Sequence, residues 1–406
     1  MRILLLSPHF PKEMQQFTPA LKEYGAEVFG VSDVPREWLG PIVDRSLADY
    51  CRITDWKDER RTLEEIAAWL GGRPVDRVES LWEPLMVLTG AVRDRVGARG
   101  MGRDTMTGFR DKDVMKERTR AAGVRVPRSR RVRSADDIFR AAKDFGFPVV
   151  IKPISGVCSA DTYRADSDAD IKLLLPKLGH LDEGNVEEFI TGEEFTWDAI
   201  VSDGKVLFES VNQYHPVMLV SRTHEWISPA DFTFRDPASH PKLQGGLALA
   251  RQVLSALRFE TGFVHMEWFL TGAGEAVFGE IAARNGGGGI VDLVNYANDF
   301  DAFRAWAEAT VTGRISKQPT RAYNVTMVCK RAEGQGAIRD IVGLDRVRGK
   351  LGPNLVYQHV PAIGAARADW KANYEADAHL IARHPDEAVC LELMRTIIND
   401  LRIYAG

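Results

Sequence analysis

The sequence predicts a multidomain chain of α/β and α+β class whose first module is a doubly wound parallel sheet. Two observations lead there: 406 residues exceed what one core supports, and strand-like and helix-like segments alternate from the first residues onward. Arg2–Leu6 reads as a buried strand, Phe17–Tyr24 as a helix stopped by Gly25, and Ala26–Val31 as a second strand. Thr62–Leu70, with Gly71 behind it, and Arg77–Leu81 repeat the alternation, and the module ends near residue 104. Its first turn, Ser7 to Pro11, lacks the glycine spacing of a dinucleotide fold, so no nicotinamide cofactor is placed there.

Asp111–Ala122 reads as a helix stopped by Gly123, and Val124–Pro127 leaves it extended. Ser134 to Asp137 is a capping-box start for a helix reaching Asp144, with Gly146 as its stop, and Phe147–Pro153 follows as a strand. Asn185–Ile190 and Phe195–Val201 read as strands on either side of Thr191 and Gly192, and Gly204 turns the chain into Val206–Ser210. Pro241–Leu257 is helical, Val264–Leu270 and Ala276–Ile281 form a hairpin around Thr271 to Gly274, and Asp301–Thr312 is a helix. Beyond about residue 315, strands at Tyr323–Lys330 and Leu355–Pro361 precede a last helix, Asp386–Arg402.

The formal net charge of −4 provides no field favouring nucleic acid or an anionic membrane, so neither is expected as a partner. The apolar start breaks at Pro8, too early for a signal-peptide core or a membrane span, and a cytoplasmic location is expected. Cys51, Cys158, Cys329 and Cys390 have neither metal-ligand spacing nor a disulfide framework and read as unreactive thiols.

The hairpin carries the most chemistry. With its loop centred between Ala273 and Gly274, Glu267 and Glu280 fall opposite one another, with Cβ atoms roughly 5 Å apart. Two carboxylates so placed repel unless a cation or a shared proton separates them. Magnesium, held by one or two carboxylates while phosphate oxygens and waters complete its shell, resolves that conflict and points to a nucleotide site. A solvated hairpin face is the plain alternative, and the apolar run Val264–Leu270, which looks buried on both sides, weighs against it.

After Glu280 come Arg284, Asn285 and four glycines, Gly286, Gly287, Gly288 and Gly289. A backbone stripped of side chains can present N–H groups to an anion, and Arg284 adds forked cationic donors. Lys152 ends a β-branched strand before the small-residue loop Ile154–Asp161, where Ser155, Gly156 and Ser159 are candidates to fold over phosphates. Lys112 and Lys116 lie four apart on one helical face, and one of the two is expected to be a surface charge. Glu187, Glu188, Phe189 and Ile190 form an extended segment whose backbone suits an adenine edge, and Glu194, just past a glycine turn, suits a ribose diol. In the connection Asn212–Trp226, His215, Arg222 and His224 are candidates to recognise a carboxylate or amine, with a polar surface loop as the equal alternative.

Taken in order, Asp111-Lys112 and Lys116, Val150–Pro153, Val186–Glu194, His265-Met-Glu267 and Gly279–Arg284 resemble the ATP-grasp superfamily over roughly residues 105–312. The resemblance implies that Lys112 and Lys152 touch the phosphates of ATP, that main chain around Glu187 to Ile190 pairs with adenine, and that Glu194 holds the ribose. It further implies that Glu267 and Glu280 bind magnesium, manganese being a permitted substitute, and that Arg284 is catalytic, steadying the transferred phosphoryl group. The implied domains are an N-terminal α/β domain at 1–104, a central region at 105–195 containing a lid at roughly 125–190, a metal-bearing domain at 196–312, and a C-terminal subdomain at 313–406. One departure stands out: many members carry asparagine where this chain has Ala282. The run Glu280–Arg284 is similar to that of dipeptide-forming amino-acid ligases, and Gly286, Gly287 and Gly288 then become candidate substrate contacts.

The expected activity is therefore an ATP-dependent carboxylate–amine ligation through an acyl phosphate, acting on small-molecule carboxylates and amines, with a homodimer left open. A carboxylase-like or acid–thiol ligase shares the phosphorylation step and is the alternative. A regulator that binds nucleotide without turnover is disfavoured by the intact pair Glu267 and Glu280.

Overall fold

The structure is a computed structural model that describes residues 1–154, 161–179, 182–371 and 374–406. Four strands open the chain, β1 Arg2–Leu6, β2 Glu27–Ser32, β3 Asp49–Arg52 and β4 Arg77–Glu79, and they pair in parallel in the order β3-β2-β1-β4. The sequence reading missed β3, a four-residue strand with only Cys51 buried, which has no alternation to detect. Helix Met14–Glu23 ties this module to the rest: Phe17 meets Trp306 edge-on at 5.2 Å and Phe263 at 6.3 Å.

A small antiparallel sheet follows, made of β5 Ser129–Val132, β6 Val149–Pro153, β7 Tyr163–Ala165 and β8 Gly184–Glu188 in the order β5-β8-β6-β7. Helices Ala135–Phe145 and Asp168–Leu178 cover it through a core that includes Ile138, Ala141, Ile151 and Ile171. The Ser134 and Ser167 hydroxyls cap these helices, accepting from Asp137 N at 3.2 Å and Asp170 N at 3.3 Å.

The largest layer is an eight-stranded antiparallel sheet. Its first members are β9 Gly192–Ser202, β10 Lys205–His215, β11 Ala230–Thr233, β12 Gly262–Thr271, β13 Ala276–Ala282 and β14 Asn324–Lys330. After β15 Glu333–Gly334 and β16 Ile338–Val342, β17 Leu355–His359 and β18 Ala378–His384 rejoin it, in the order β13-β12-β9-β10-β11-β14-β18-β17. The last strand, β19 Arg402–Ala405, sits between β15 and β16 in a separate three-stranded sheet. The large sheet therefore runs through the boundary expected near residue 312, since β14, β18 and β17 extend the layer begun by β9.

Strands Asn185–Ile190 and Phe195–Val201, read as flanking one turn, belong to different sheets. β8 ends the small sheet, β9 starts in the large one, and Phe189–Thr191 crosses between them. Cys51, Cys329 and Cys390 are buried free thiols, and Cys158 lies outside the described residues. Among the described residues no helix is long and apolar enough to cross a membrane.

Candidate active site

A cavity of about 520 Å³ lies against the small sheet and strands β9–β13. Its walls follow from strand periodicity. On β9 the odd residues Phe195, Trp197, Ala199 and Val201 enter the core beneath helix Gln244–Ala256, leaving Glu194, Thr196 and Asp198 on the opposite face. On β12, Val264, Met266 and Trp268 enter that same core, and His265, Glu267 and Phe269 line the cavity.

Glu267 and Glu280 are register partners, as the sequence predicts, by a route it does not reveal. From Leu270–Ala276 to Trp268–Phe278 the hairpin is centred on Ala273, half a residue from the predicted centre. A bulge at Gly279 then shifts the register by one, so Glu280 opposes Glu267. Without it Glu280 would share the core-facing side of Phe278. Gly279 has no room for a side chain, because a Cβ there would sit 2.9 Å from the Glu267 carbonyl oxygen.

A ladder of alternating charge crosses this wall. Lys112 Nζ lies 2.8 Å from Glu280 Oε2, Lys152 Nζ lies 3.9 Å from the same carboxylate and 3.0 Å from Glu187 Oε2, and Lys116 pairs with Glu187 Oε1. Burial alone would raise the Glu280 carboxyl, but Lys112 and Lys152 overcome it and hold the group at about 2. Burial works against the Lys152 charge, yet Glu187 and Glu280 carry its ammonium up to about 12. Lys116 is fully buried, and there burial wins, pushing it down to about 7. The expectation that one of Lys112 and Lys116 is a surface charge is thus corrected: both are buried, on a helix face closed over by the small sheet, a tertiary contact that no spacing encodes. Lys112 lines the cavity; Lys116 stands behind it as partner to Glu187.

The opposite charge is less balanced on the other side. Glu194 is buried, accepts from Met218 N at 2.5 Å, and is pushed up to about 8 by burial and then by the charges of Glu267 and Glu280. Mutual repulsion of this kind fits a divalent cation between the glutamates. Among the described residues no group of three or more His, Cys, Asp or Glu side chains could hold a metal, so a cation here needs phosphate and water oxygens beside the two carboxylates. Asp231, another cavity carboxyl, is pushed up to about 7 by burial, against the Tyr374 hydroxyl that donates to it at 3.0 Å.

Arg284 lines the cavity with its guanidinium held by Glu83, through Nε at 2.8 Å and Nη2 at 2.6 Å, while Nη1 donates to the Asn285 carbonyl at 2.6 Å. Glu83 also accepts from Arg110 at 2.9 Å. It comes from the N-terminal module, 201 residues away, and the sequence carries no signal for it. Gly287 and Gly288 reach the cavity; Gly288 has φ +59° and its absent Cβ would strike Tyr374, so glycine is required there.

Of the remaining predicted residues, Glu188, Phe189, Ile190 and Arg222 line the cavity, Arg222 donating from Nη2 to the Lys371 carbonyl at 2.5 Å. His215, His224 and Gly286 are not among its lining residues. His215 ends β10, His224 bonds the Val220 carbonyl at 3.1 Å and packs edge-on against Trp226, and Gly286 lies against Asp198. Ser155, Gly156 and Ser159 lie outside the described residues.

No family model matches the chain. It is 28% identical over 302 residues to the L-arginine-specific L-amino acid ligase of Bacillus subtilis, which covers 72% of this chain and 71% of the relative. It is 24% identical over 288 residues to the alanine–anticapsin ligase of the same organism, over 65% of this chain and 60% of that one. Among solved structures, an L-amino acid ligase from Bacillus licheniformis superposes with a TM-score of 0.76 at 17% identity, over 100% of this chain and 98% of that chain. An N5-carboxyaminoimidazole ribonucleotide synthetase from Thermotoga maritima gives 0.70 at 18% identity, over 100% and 99%.

Proposed function

We propose that this chain is an ATP-grasp ligase that joins the carboxylate of an amino acid or small carboxylic acid to an amine through an acyl phosphate, releasing ADP and phosphate. The observation that carries the reading is the meeting, on one cavity wall, of the opposed pair Glu267 and Glu280 with the buried Lys112 and the partly buried Lys152. Two carboxylates and two lysines of this kind suit a polyphosphate and its metal, since each set can trade its present partner for the ligand.

In this structure Lys112 and Lys152 neutralise Glu280. On nucleotide entry they turn to phosphate oxygens. A divalent cation held by Glu267 and Glu280 would supply further charge neutralisation to those oxygens. The substrate carboxylate attacks the terminal phosphorus, the bond to the ADP oxygen breaks, and an acyl phosphate results. The amine then attacks the acyl carbon, the C–O bond to phosphate breaks, and the nitrogen gives up its proton. Arg284, aimed by Glu83, steadies the phosphoryl oxygens and then the tetrahedral oxyanion, with the backbone of Gly287 and Gly288 beside it. Arg222, at the cavity wall, is the candidate receptor for a second carboxylate. The small sheet over the cavity limits the water that would hydrolyse the intermediate.

The test is a screen of amino-acid pairs with ATP and magnesium, reading ADP and phosphate. Release that requires two amino acids and yields a peptide supports the reading; AMP and pyrophosphate would reject it. Phosphate release that depends on bicarbonate or a thiol would assign the carboxylase-like or acid–thiol alternative.

A further inference from the structure

The large sheet contains a buried polar row that the mechanism above does not use. Thr233 on β11 pairs in register with Asn212 on β10, Asn212 with Thr196 on β9, Thr196 with Glu267 on β12, and Glu267 with Glu280 on β13. One line of polar side chains thus crosses five adjacent strands and ends at the paired glutamates. Thr233, Asn212, Thr196 and Asp198 are fully buried, in positions where valine or isoleucine would pack.

The row is a directed chain of donors. The Thr233 hydroxyl donates to Asn212 Oδ1, Asn212 Nδ2 donates to Thr196 Oγ1 and Asp198 Oδ2 at 3.0 Å each, and the Thr196 hydroxyl donates to Asp198 Oδ2 at 2.7 Å. Asp198 Oδ1 holds His265 Nδ1 at 2.8 Å, and His265 Nε2 then lies 3.7 Å from Glu267 Oε1. At its other end the row stops, for the register partner of Thr233 on β14 is Val325. Opposite His265 stands Ala282, whose methyl leaves the imidazole facing Glu267. Gly286 abuts Asp198 from the glycine loop, and a Cβ there would come within 2.8 Å of Oδ1. A buried polar network is a poor source of stability compared with apolar packing, and its gain is in fixing one arrangement.

We propose that Asp198 and His265 are a positioning pair that fixes the Glu267 carboxylate for a divalent cation, and that Thr196, Asn212 and Thr233 hold Asp198 for that purpose. The inference rests on the reading of Glu267 as a metal ligand. Outer partners of this type commonly change metal affinity by about 10–100-fold.

The experiment measures Mn2+ binding to the full chain at saturating ADP, reading free Mn2+ by electron paramagnetic resonance, with ADP affinity in EDTA and the melting temperature as controls. Asp198→Asn is expected to weaken Mn2+ binding by about 10–100-fold, and Thr196→Val, which removes one donor to Asp198, by about threefold or more. Metal-free ADP affinity stays unchanged in both. Mn2+ affinity at the wild-type level in a folded Asp198→Asn protein overturns the proposal; should that variant fail to fold, the same result for Thr196→Val does so. Equal losses of Mn2+ and metal-free ADP binding also overturn it, since they indicate a general distortion. Glu267→Gln serves as the reference: if it binds Mn2+ normally, the metal-ligand reading itself fails, whereas loss there with no loss in Asp198→Asn defeats the positioning pair alone.

Discussion

Replacing Glu280 by glutamine should tighten metal-free ADP binding while destroying turnover. Glu280 now holds Lys112 at 2.8 Å and Lys152 at 3.9 Å, in a setting where the two lysines are strong enough to keep its carboxyl at about 2. A nucleotide arriving without metal must win these lysines from a partly buried anion and tolerate that anion's repulsion. Hydrogen bonds to charged groups contribute about 1.5–3 kcal/mol, and glutamine keeps a neutral acceptor worth roughly half of that. The difference of about 0.8–1.5 kcal/mol from the contacts, with some added relief of repulsion, predicts ADP binding tighter by roughly 4–30-fold. Isothermal titration of ADP in EDTA measures it, and repeating the titration with magnesium should strengthen binding by the wild-type chain far more than by the variant. Unchanged or weaker metal-free binding by Glu280→Gln would show that the lysines are not held in check by this carboxylate, and the ladder would lose its meaning.

Two further outcomes follow from the same wall. Gly279→Ala places a methyl 2.9 Å from the Glu267 carbonyl oxygen, so either β12 shifts or the bulge is lost and Glu280 turns from the cavity; thermal unfolding should show a loss of about 1–3 kcal/mol, and amide-forming turnover should fall with it, whereas a variant with normal turnover would remove the bulge from the argument. Glu194, raised from 4.5 to about 8, keeps a proton in the folded state that the unfolded chain releases, so in EDTA stability should be full below about pH 4.5 and decline as pH rises to about 8; denaturation across that window should show the slope in wild type and a flatter one in Glu194→Gln, and identical slopes would contradict the assignment.

Much of this site was legible in the chain itself because its ligands are close in sequence or follow strand periodicity. Glu267 and Glu280 could be paired by counting outward from a glycine-rich turn, and Arg284 stood out before its run of glycines, whereas Lys112 and Lys152 were singled out only through the resemblance to the ATP-grasp superfamily. What stayed hidden depends on distance or on local irregularity. Counting could not expose the Gly279 bulge, and the pairing emerged correctly only because a half-residue misplacement of the turn offset an unseen shift. Glu83 reaches Arg284 from another module, and Lys116 looks like any helix-surface lysine until Glu187 is brought over it. Thr191 and Gly192 resembled a tight turn, with Phe189 and Ile190 counted in the strand before it, because strand ends and sheet-to-sheet crossings share the same short polar punctuation.

That crossing has a mechanical consequence. Three residues span roughly 10 Å at full stretch, and where the chain enters the small sheet it is stapled beside the place where it leaves, since Glu188 N donates to the Arg128 carbonyl at 2.9 Å and Arg128 N returns a bond to the Glu188 carboxylate at 3.1 Å. Entry and exit therefore act as a single pivot. Any displacement of the small sheet relative to β9 would therefore be least beside Ile190 and grow with distance from it, and it would have to break the ion pairs of Arg131 with Asp111 and Asp113.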